Sequence, residues 1–192
     1  FIGVGRGIKP LLFHYALHCF ALFDNNSIMK NAKDQQHPGA SPTGGEGSKC
    51  LLLVRHAKSS WDDFSIKDFD RPLNDRGKSD APMMAQRLLD KKIKIDAFIA
   101  SPAKRARKTA ELFVKQFKES KDGIIFVDSL YLASPSVFSQ VISKTDNQFD
   151  TIAVFSHNDG ITAFANTLTN TKTDNIPTCG IFAIKIKVKH WN

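Results

Sequence analysis

Residues 49–57 read Lys49-Cys50-Leu51-Leu52-Leu53-Val54-Arg55-His56-Ala57, an unbroken apolar run that stops at an arginine and a histidine. Such a run is too short for an ordinary helix and shows no alternation, so it matches a strand buried on both faces in the middle of a parallel sheet. Working outward, short apolar runs recur at 97–100, 124–127, 151–155 and 181–188. Longer amphipathic stretches at 75–91, 102–118, 135–143 and 159–169 fall between them. In the first of these, Asn74 or Asp75 can cap the amino end, and Pro82 falls within the early turns. Strands alternating with helices predict an α/β fold, a three-layer α/β/α sandwich with a mostly parallel central sheet.

The flanking sequence sets the domain boundary. Residues 1–48 open on Phe1 without an initiator Met, carry glycines at 3, 5 and 7, and pass through an apolar run from Leu11 to Phe23. That run is too short to span a bilayer, is interrupted by His14 and His18, and lacks a small-x-small cleavage site, so it fits an export signal poorly. Translated upstream sequence with the true start at Met29 is a competing reading. Residues 31–48 are polar and rich in Pro and Gly, the composition of a flexible linker. The expectation is therefore a non-domain extension over 1–48 and one domain over 49–192. The chain ends at Trp191-Asn192 directly after a predicted strand, so truncation is expected there too.

Composition narrows the class without naming a reaction. The 192 residues are 42% apolar and 24% charged, ordinary for a globular protein, and the formal net charge of +8 favours anionic partners. Cys19, Cys50 and Cys179 are odd in number and widely spaced, matching neither a zinc site nor a disulfide framework. A reducing, cytoplasmic setting is expected, with no membrane partner.

Three polar clusters fall at predicted strand carboxyl ends: Arg55-His56, Ser101 to Arg105, and Ser156-His157-Asn158. In α/β sheets ligands gather beyond those ends. Arginine offers a fork of donors matched to phosphate oxygens, and neutral imidazole has a free ring nitrogen able to attack phosphorus without a metal. Together the clusters predict one anion site.

Four ordered segments, LLLVRHAKSSW (51–61), DRPLNDRGK (70–78), SPAKRARKT (101–109) and SHNDG (156–160), with NIPTCG (175–180) near the end, resemble the SixA-like phosphohistidine phosphatases of the histidine phosphatase (phosphoglycerate mutase-like) superfamily. The resemblance spans nearly all of 49–192. It implies a phosphoglycerate mutase-like fold and a metal-independent phosphatase that needs no cofactor. It casts His56 as the phosphorylated nucleophile, with Arg55, Arg105 and His157 completing the phosphate pocket and Arg71 and Lys58 flanking it. The implied partner is a phosphorylated protein or a small phosphorylated molecule, and a monomer suffices. Arg-His-Ala and His-Asn stand where the broader superfamily has Arg-His-Gly and His-Gly, as is usual in the SixA-like branch. No match is found for the carboxylic acid that protonates alkoxide leaving groups in larger members; Asp128, Asp159 and Asp62 are candidates by position alone.

Other chemistries fit less well. Lys104-Arg105-Ala106-Arg107-Lys108 looks like a nucleic-acid patch, but helical spacing spreads its charges so that Arg105 alone faces the site and nucleic acid is not an expected partner. Asp68-Phe69-Asp70 mimics an aspartate-nucleophile motif without the buried strand that should precede it. Cys50 begins an apolar strand and reads as core. No paired-carboxylate or His-Glu-x-x-His metal motif is evident, so activity indifferent to chelators is expected. A non-catalytic phosphate-binding regulatory domain is the alternative reading.

Overall fold

The computed structural model describes residues 16–22, 28–29, 47–170 and 172–192. Strands are β1 Ala16–Leu22, β2 Ile28–Met29, β3 Lys49–Arg55, β4 Ala97–Ala100, β5 Ile124–Phe126, β6 Thr151–Ser156 and β7 Ile181–Ile186. Helices are α1 Asp75–Asp90, α2 Lys104–Phe117, α3 Pro135–Ser143 and α4 Gly160–Leu168, with short 3-10 turns at Asp68–Asp70, Lys121–Gly123 and Asp128–Leu130.

The sheet order is β2-β1-β7-β3-β6-β4-β5. From β3 through β6 and β4 to β5 every pairing is parallel, and β7 joins β3 antiparallel. The Cys50–Val54 run is paired on both sides, to Thr151–Phe155 and to Ile181–Lys185, so neither edge of the strand reaches water. Alternate residues of β3 point into two separate cores. Leu52 and Val54 pack with Met84, Leu88 and Phe113 of α1 and α2. Leu51 and Leu53 pack with Phe138, Ile161 and Phe164 of α3 and α4. This is the expected α/β/α sandwich, and its continuous apolar strands follow from burial on both faces.

Part of the 1–48 segment, assigned on sequence to an extension outside the domain, lies on the sheet. There β1 runs antiparallel along the otherwise free edge of β7, and β2 pairs with β1. Most of the expected linker, residues 31–46, lies outside the described residues, as does the start of the apolar run, residues 11–15. Among the described residues no helix is long and apolar enough to cross a membrane.

Local departures from the sequence expectations are small. Helix α2 begins at Lys104 because Ser101, Pro102 and Ala103 form a turn in which Ser101 Oγ accepts the Ala103 N–H at 3.3 Å. Asn74 caps α1, accepting the Gly77 N–H at 2.9 Å, and α1 runs through Pro82 without breaking. Gly77 is required for a close approach, since a Cβ there would sit 2.2 Å from the Lys58 carbonyl oxygen. Alanine normally stabilises a helix interior relative to glycine by about 1 kcal/mol. Here Gly77→Ala is expected to destabilise instead, by about 1–3 kcal/mol as overpacking does, in urea unfolding. A neutral or stabilising change would show that the approach of α1 to Lys58 is not tight.

Candidate functional site

Strands β3, β4 and β6 end at the same edge of the sheet, and α2 begins there. Beyond β3, the His56 N–H donates to the Ser156 carbonyl at 3.0 Å, extending the ladder past the last strand residue. Beyond β4, the Ser101 N–H does the same to Phe155 at 3.0 Å. The parallel register thus brings His56, Ser101 and His157 side by side, and the rings of His56 and His157 lie 5.2 Å apart.

His56 is buried and bonded at both ring nitrogens. Nδ1 lies 2.8 Å from the Ala57 carbonyl, and Nε2 lies 3.2 Å from Arg105 Nε. A carbonyl only accepts and a guanidinium N–H only donates, which assigns the tautomer: hydrogen on Nδ1 and the lone pair on Nε2. Helix α2 reinforces this arrangement, because Thr109 Oγ1 accepts the Ala57 N–H at 3.0 Å and donates to the Arg105 carbonyl at 2.7 Å. Burial lowers the His56 pKa to about 4, opposed by the bond to Ala57 and reinforced by the charges of Arg105, Arg55 and Arg71. The ring is neutral at pH 7, as a nucleophile requires.

His157 is held from the other side. Its Nε2 is 2.8 Å from Ser101 Oγ, which also accepts the Ala103 N–H at 3.3 Å. Burial, then the Arg105 charge, lowers its pKa to about 3. His157 Nδ1 and Arg55 Nε are both buried without a hydrogen-bond partner. Arg55 is steered by the NIPTCG segment: Nη1 donates to Asn175 Oδ1 at 3.0 Å and to the Ile176 carbonyl at 2.7 Å. Asn158 Nδ2 donates to the same Asn175 oxygen at 2.6 Å.

Arg105 is 2% exposed, while Lys104, Arg107 and Lys108 on the same helix face solvent. Besides the bond to His56, its Nη1 donates to the Asp68 carbonyl and its Nη2 to Asp68 Oδ2 at 2.9 Å. Arg71 is buried against Trp61, its guanidinium 3.6 Å from the ring centre, and donates to Asp68 Oδ1 from Nε at 3.0 Å and Nη2 at 2.8 Å. Lys58 contributes through its backbone, whose carbonyl accepts the Asn74 N–H at 3.0 Å; its side chain is exposed.

None of the three carboxylates singled out on sequence bonds to this cluster. Asp62 is exposed and paired with Ser60 at 2.6 Å. Asp128 is exposed at the start of a 3-10 turn. Asp159, exposed before α4, reaches the site only through its charge on Arg55. The carboxylate inside the cluster is Asp68, which also accepts from the Tyr131 hydroxyl at 2.8 Å. Partial burial pushes its carboxyl up, but bonds from Tyr131, Arg105 and Arg71 outweigh that and hold it at about 2. Asp68 and Tyr131 were not legible in the sequence; the one local sign was the Asp68-x-x-Arg71 spacing, which a single 3-10 turn converts into an ion pair.

The two histidines make stability depend on pH. Each has an unfolded pKa near 6.5 and a lowered folded value, about 4 for His56 and about 3 for His157. Below pH 6.5 the unfolded chain therefore takes up protons that the folded chain refuses, and stability falls as pH falls toward 4. The expected slope is up to about 1.4 kcal/mol per pH unit per histidine. Urea unfolding between pH 7 and 4 checks it, and His157→Gln should flatten the dependence.

With this geometry in view, residues 51–124 match the histidine phosphatase superfamily (branch 1). The chain belongs to the histidine phosphatase superfamily and is a phosphatase by class. A chloroplastic protein of Arabidopsis thaliana is 30% identical over 156 residues, covering 75% of this chain and 69% of its own. A protein of Agrobacterium tumefaciens named for the phosphohistidine phosphatase SixA superposes with a TM-score of 0.61 at 25% identity, covering 69% of this chain and 89% of that one. A protein histidine phosphatase SixA complexed with tungstate shares the fold, with a TM-score of 0.62 at 21% identity over 69% of this chain and 85% of that one.

Proposed function

We propose that this phosphatase works without a metal through a covalent phosphohistidine at His56. The observation that carries it is the neutral His56 ring, its Nδ1–H held by Ala57 and its Nε2 lone pair turned toward the Arg105 guanidinium. The buried, unpartnered Arg55 Nε supplies a further donor for an oxyanion, and the unpartnered His157 Nδ1 adds a second in the tautomer that carries its hydrogen there. In the first step Arg105 Nε–H turns from Nε2 to a phosphoryl oxygen, and the freed Nε2 lone pair attacks phosphorus in line with the leaving group. The N–P bond forms as the substrate's P–O or P–N bond breaks, and the leaving group departs with the bonding pair and takes a proton from solvent. In the second, water attacks phosphorus, the N–P bond breaks, and the water proton passes to solvent as phosphate leaves. Arg55, Arg105 and His157 neutralise charge on the transferred group, and Arg71 adds to the positive field.

The substrate we propose is a phosphohistidine side chain of a protein. Asp68, the carboxylate in the cluster, is ionised at neutral pH and so offers no proton to an alkoxide. An imidazole leaving group needs less protonation than an alcohol. Trp61, Phe64 and Leu132 are exposed on the loops that carry the site, a surface suited to a protein better than to a small polar molecule. Enzyme mixed with a phosphohistidine substrate and quenched in alkali is expected to yield a base-stable, acid-labile phosphoenzyme. If phosphate or orthovanadate binds but no adduct forms and nothing turns over, the domain is instead a phosphate-binding module.

A further inference from the structure

Asp68 sits where an anion ligand of this site would be expected to find its donors. Its carboxylate takes both nitrogens of one Arg71 edge on Oδ1, and Arg105 Nη2 and the Tyr131 hydroxyl on Oδ2. Two guanidinium groups and a phenol converging on one pair of oxygens form a donor set that a phosphoryl group would also satisfy. Arg105 joins the two halves of the site, since its Nε reaches His56 Nε2 while its Nη2 holds Asp68. The Asp68 side chain remains 45% exposed, so it lies at the solvent side of the cluster and has room to withdraw. Its anchors come from distant elements. Tyr131 is set by the turn after β5, which Ser156 of β6 ties down by donating to the Leu130 carbonyl at 2.8 Å. The Tyr131 ring also packs edge-on against His157 and Phe69.

We propose that Asp68 is a resident anion of the phosphate site, an intramolecular competitor that keeps Arg105 and Arg71 positioned and yields them to an incoming phosphoryl group. This rests on the reading of the His56 cluster as a phosphoryl site. A single carboxylate charge is displaced more readily by a tetrahedral dianion than by another carboxylate. Asp68 thereby weakens every anion by a common factor, which leaves a weakly bound monoanion such as acetate below measurable affinity while a phosphoryl group still binds. Apparent affinity for any anion is reduced by the fraction of time the donors are engaged by Asp68. It is a positioning residue that sets how tightly an anion must bind to be held, not a nucleophile or an acid.

The test is calorimetric titration of the full chain with inorganic phosphate and orthovanadate at pH 7 and fixed ionic strength, alongside steady-state kinetics. Asp68→Asn keeps the shape and removes the charge, and it is expected to bind phosphate roughly tenfold more tightly. KM should fall with kcat unchanged or lower, and acetate should become a measurable inhibitor. Tyr131→Phe, which removes one bond to Oδ2 and keeps the ring, should tighten phosphate in the same direction by about twofold and tests the idea even if Asp68→Asn does not fold. Asp70→Asn removes the same charge from the same turn, and it should change affinity less than Asp68→Asn, because it leaves the bonds from Arg105, Arg71 and Tyr131 to Asp68 in place. If Asp68→Asn binds phosphate less tightly and kcat drops with it, Asp68 is only a clamp for Arg105 and the proposal fails. Equal tightening by Asp70→Asn overturns it as well, by reducing the effect to general charge. Failure of the wild type itself to bind phosphate or vanadate is a different result, and it removes the phosphoryl-site reading underneath.

Discussion

His56→Ala is expected to abolish turnover, lowering kcat by on the order of 10⁴-fold or more, the scale on which loss of a covalent nucleophile acts. The alkali-stable adduct should vanish with it. The substitution removes a buried polar ring whose Nδ1 partner is the adjacent Ala57 carbonyl and whose Nε2 partner is Arg105. Both partners keep other anchors: Ala57 remains tied to Thr109, and Arg105 remains paired to Asp68. The fold should therefore survive, as circular dichroism would show, and phosphate binding should persist in the inactive variant. A His56→Ala protein that retains turnover within tenfold of wild type would place the nucleophile elsewhere and remove the proposed mechanism.

The second large effect is expected at Arg105. Its planar fork serves three acceptors in different directions at once, His56 Nε2, the Asp68 carbonyl and the Asp68 carboxylate, and its burial keeps competing water away. Lysine keeps the charge but offers one nitrogen on a flexible stem, so it cannot hold all three. Arg105→Lys is expected to lower kcat/KM by about 10²–10³-fold, the range seen when one preorganised donor to transition-state charge is lost. Because the charge stays, phosphate binding should weaken less than turnover falls. Arg107→Lys, two residues on and facing solvent over Phe126, is the matched control and should leave kcat/KM near wild type. Equal losses at both positions would mean that the helix charge, not the Arg105 geometry, matters.

The contrast between these two arginines shows how far periodicity carries. In α2, positions 105, 106, 109, 110, 113 and 114 are buried and 104, 107 and 108 are exposed, the pattern a 3.6-residue turn imposes on one apolar face. The same rule that buries Phe113 and Val114 turns Arg105 inward, so its orientation could be read from spacing. The strand ends were legible for a related reason. Apolar runs stop where the sheet meets solvent, which places Arg55-His56 and His157 at one edge.

Loop 58–73 has no such period, and there sequence reasoning reached less far. Lys58, next but one to His56, was grouped with the site, yet it turns outward because its backbone is committed to the start of α1 at Asn74 and Gly77. The acid candidates Asp62, Asp128 and Asp159 were chosen by position, and none bonds to the cluster. Asp68 enters it because Arg105, 37 residues away, and Tyr131, 63 residues away, reach the same carboxylate.

The unbroken run Cys50–Val54 ending in Arg55-His56 thus determined the layer in which this chain keeps its chemistry and the edge at which the chemistry lies. Burial on two faces leaves a signature in hydrophobic pattern, and that pattern is local. Which nitrogen of His56 carries the hydrogen, and which anion Arg105 and Arg71 already hold, were decided only by the tertiary structure. Those depend on hydrogen bonds between residues far apart in sequence, and no local pattern encodes them.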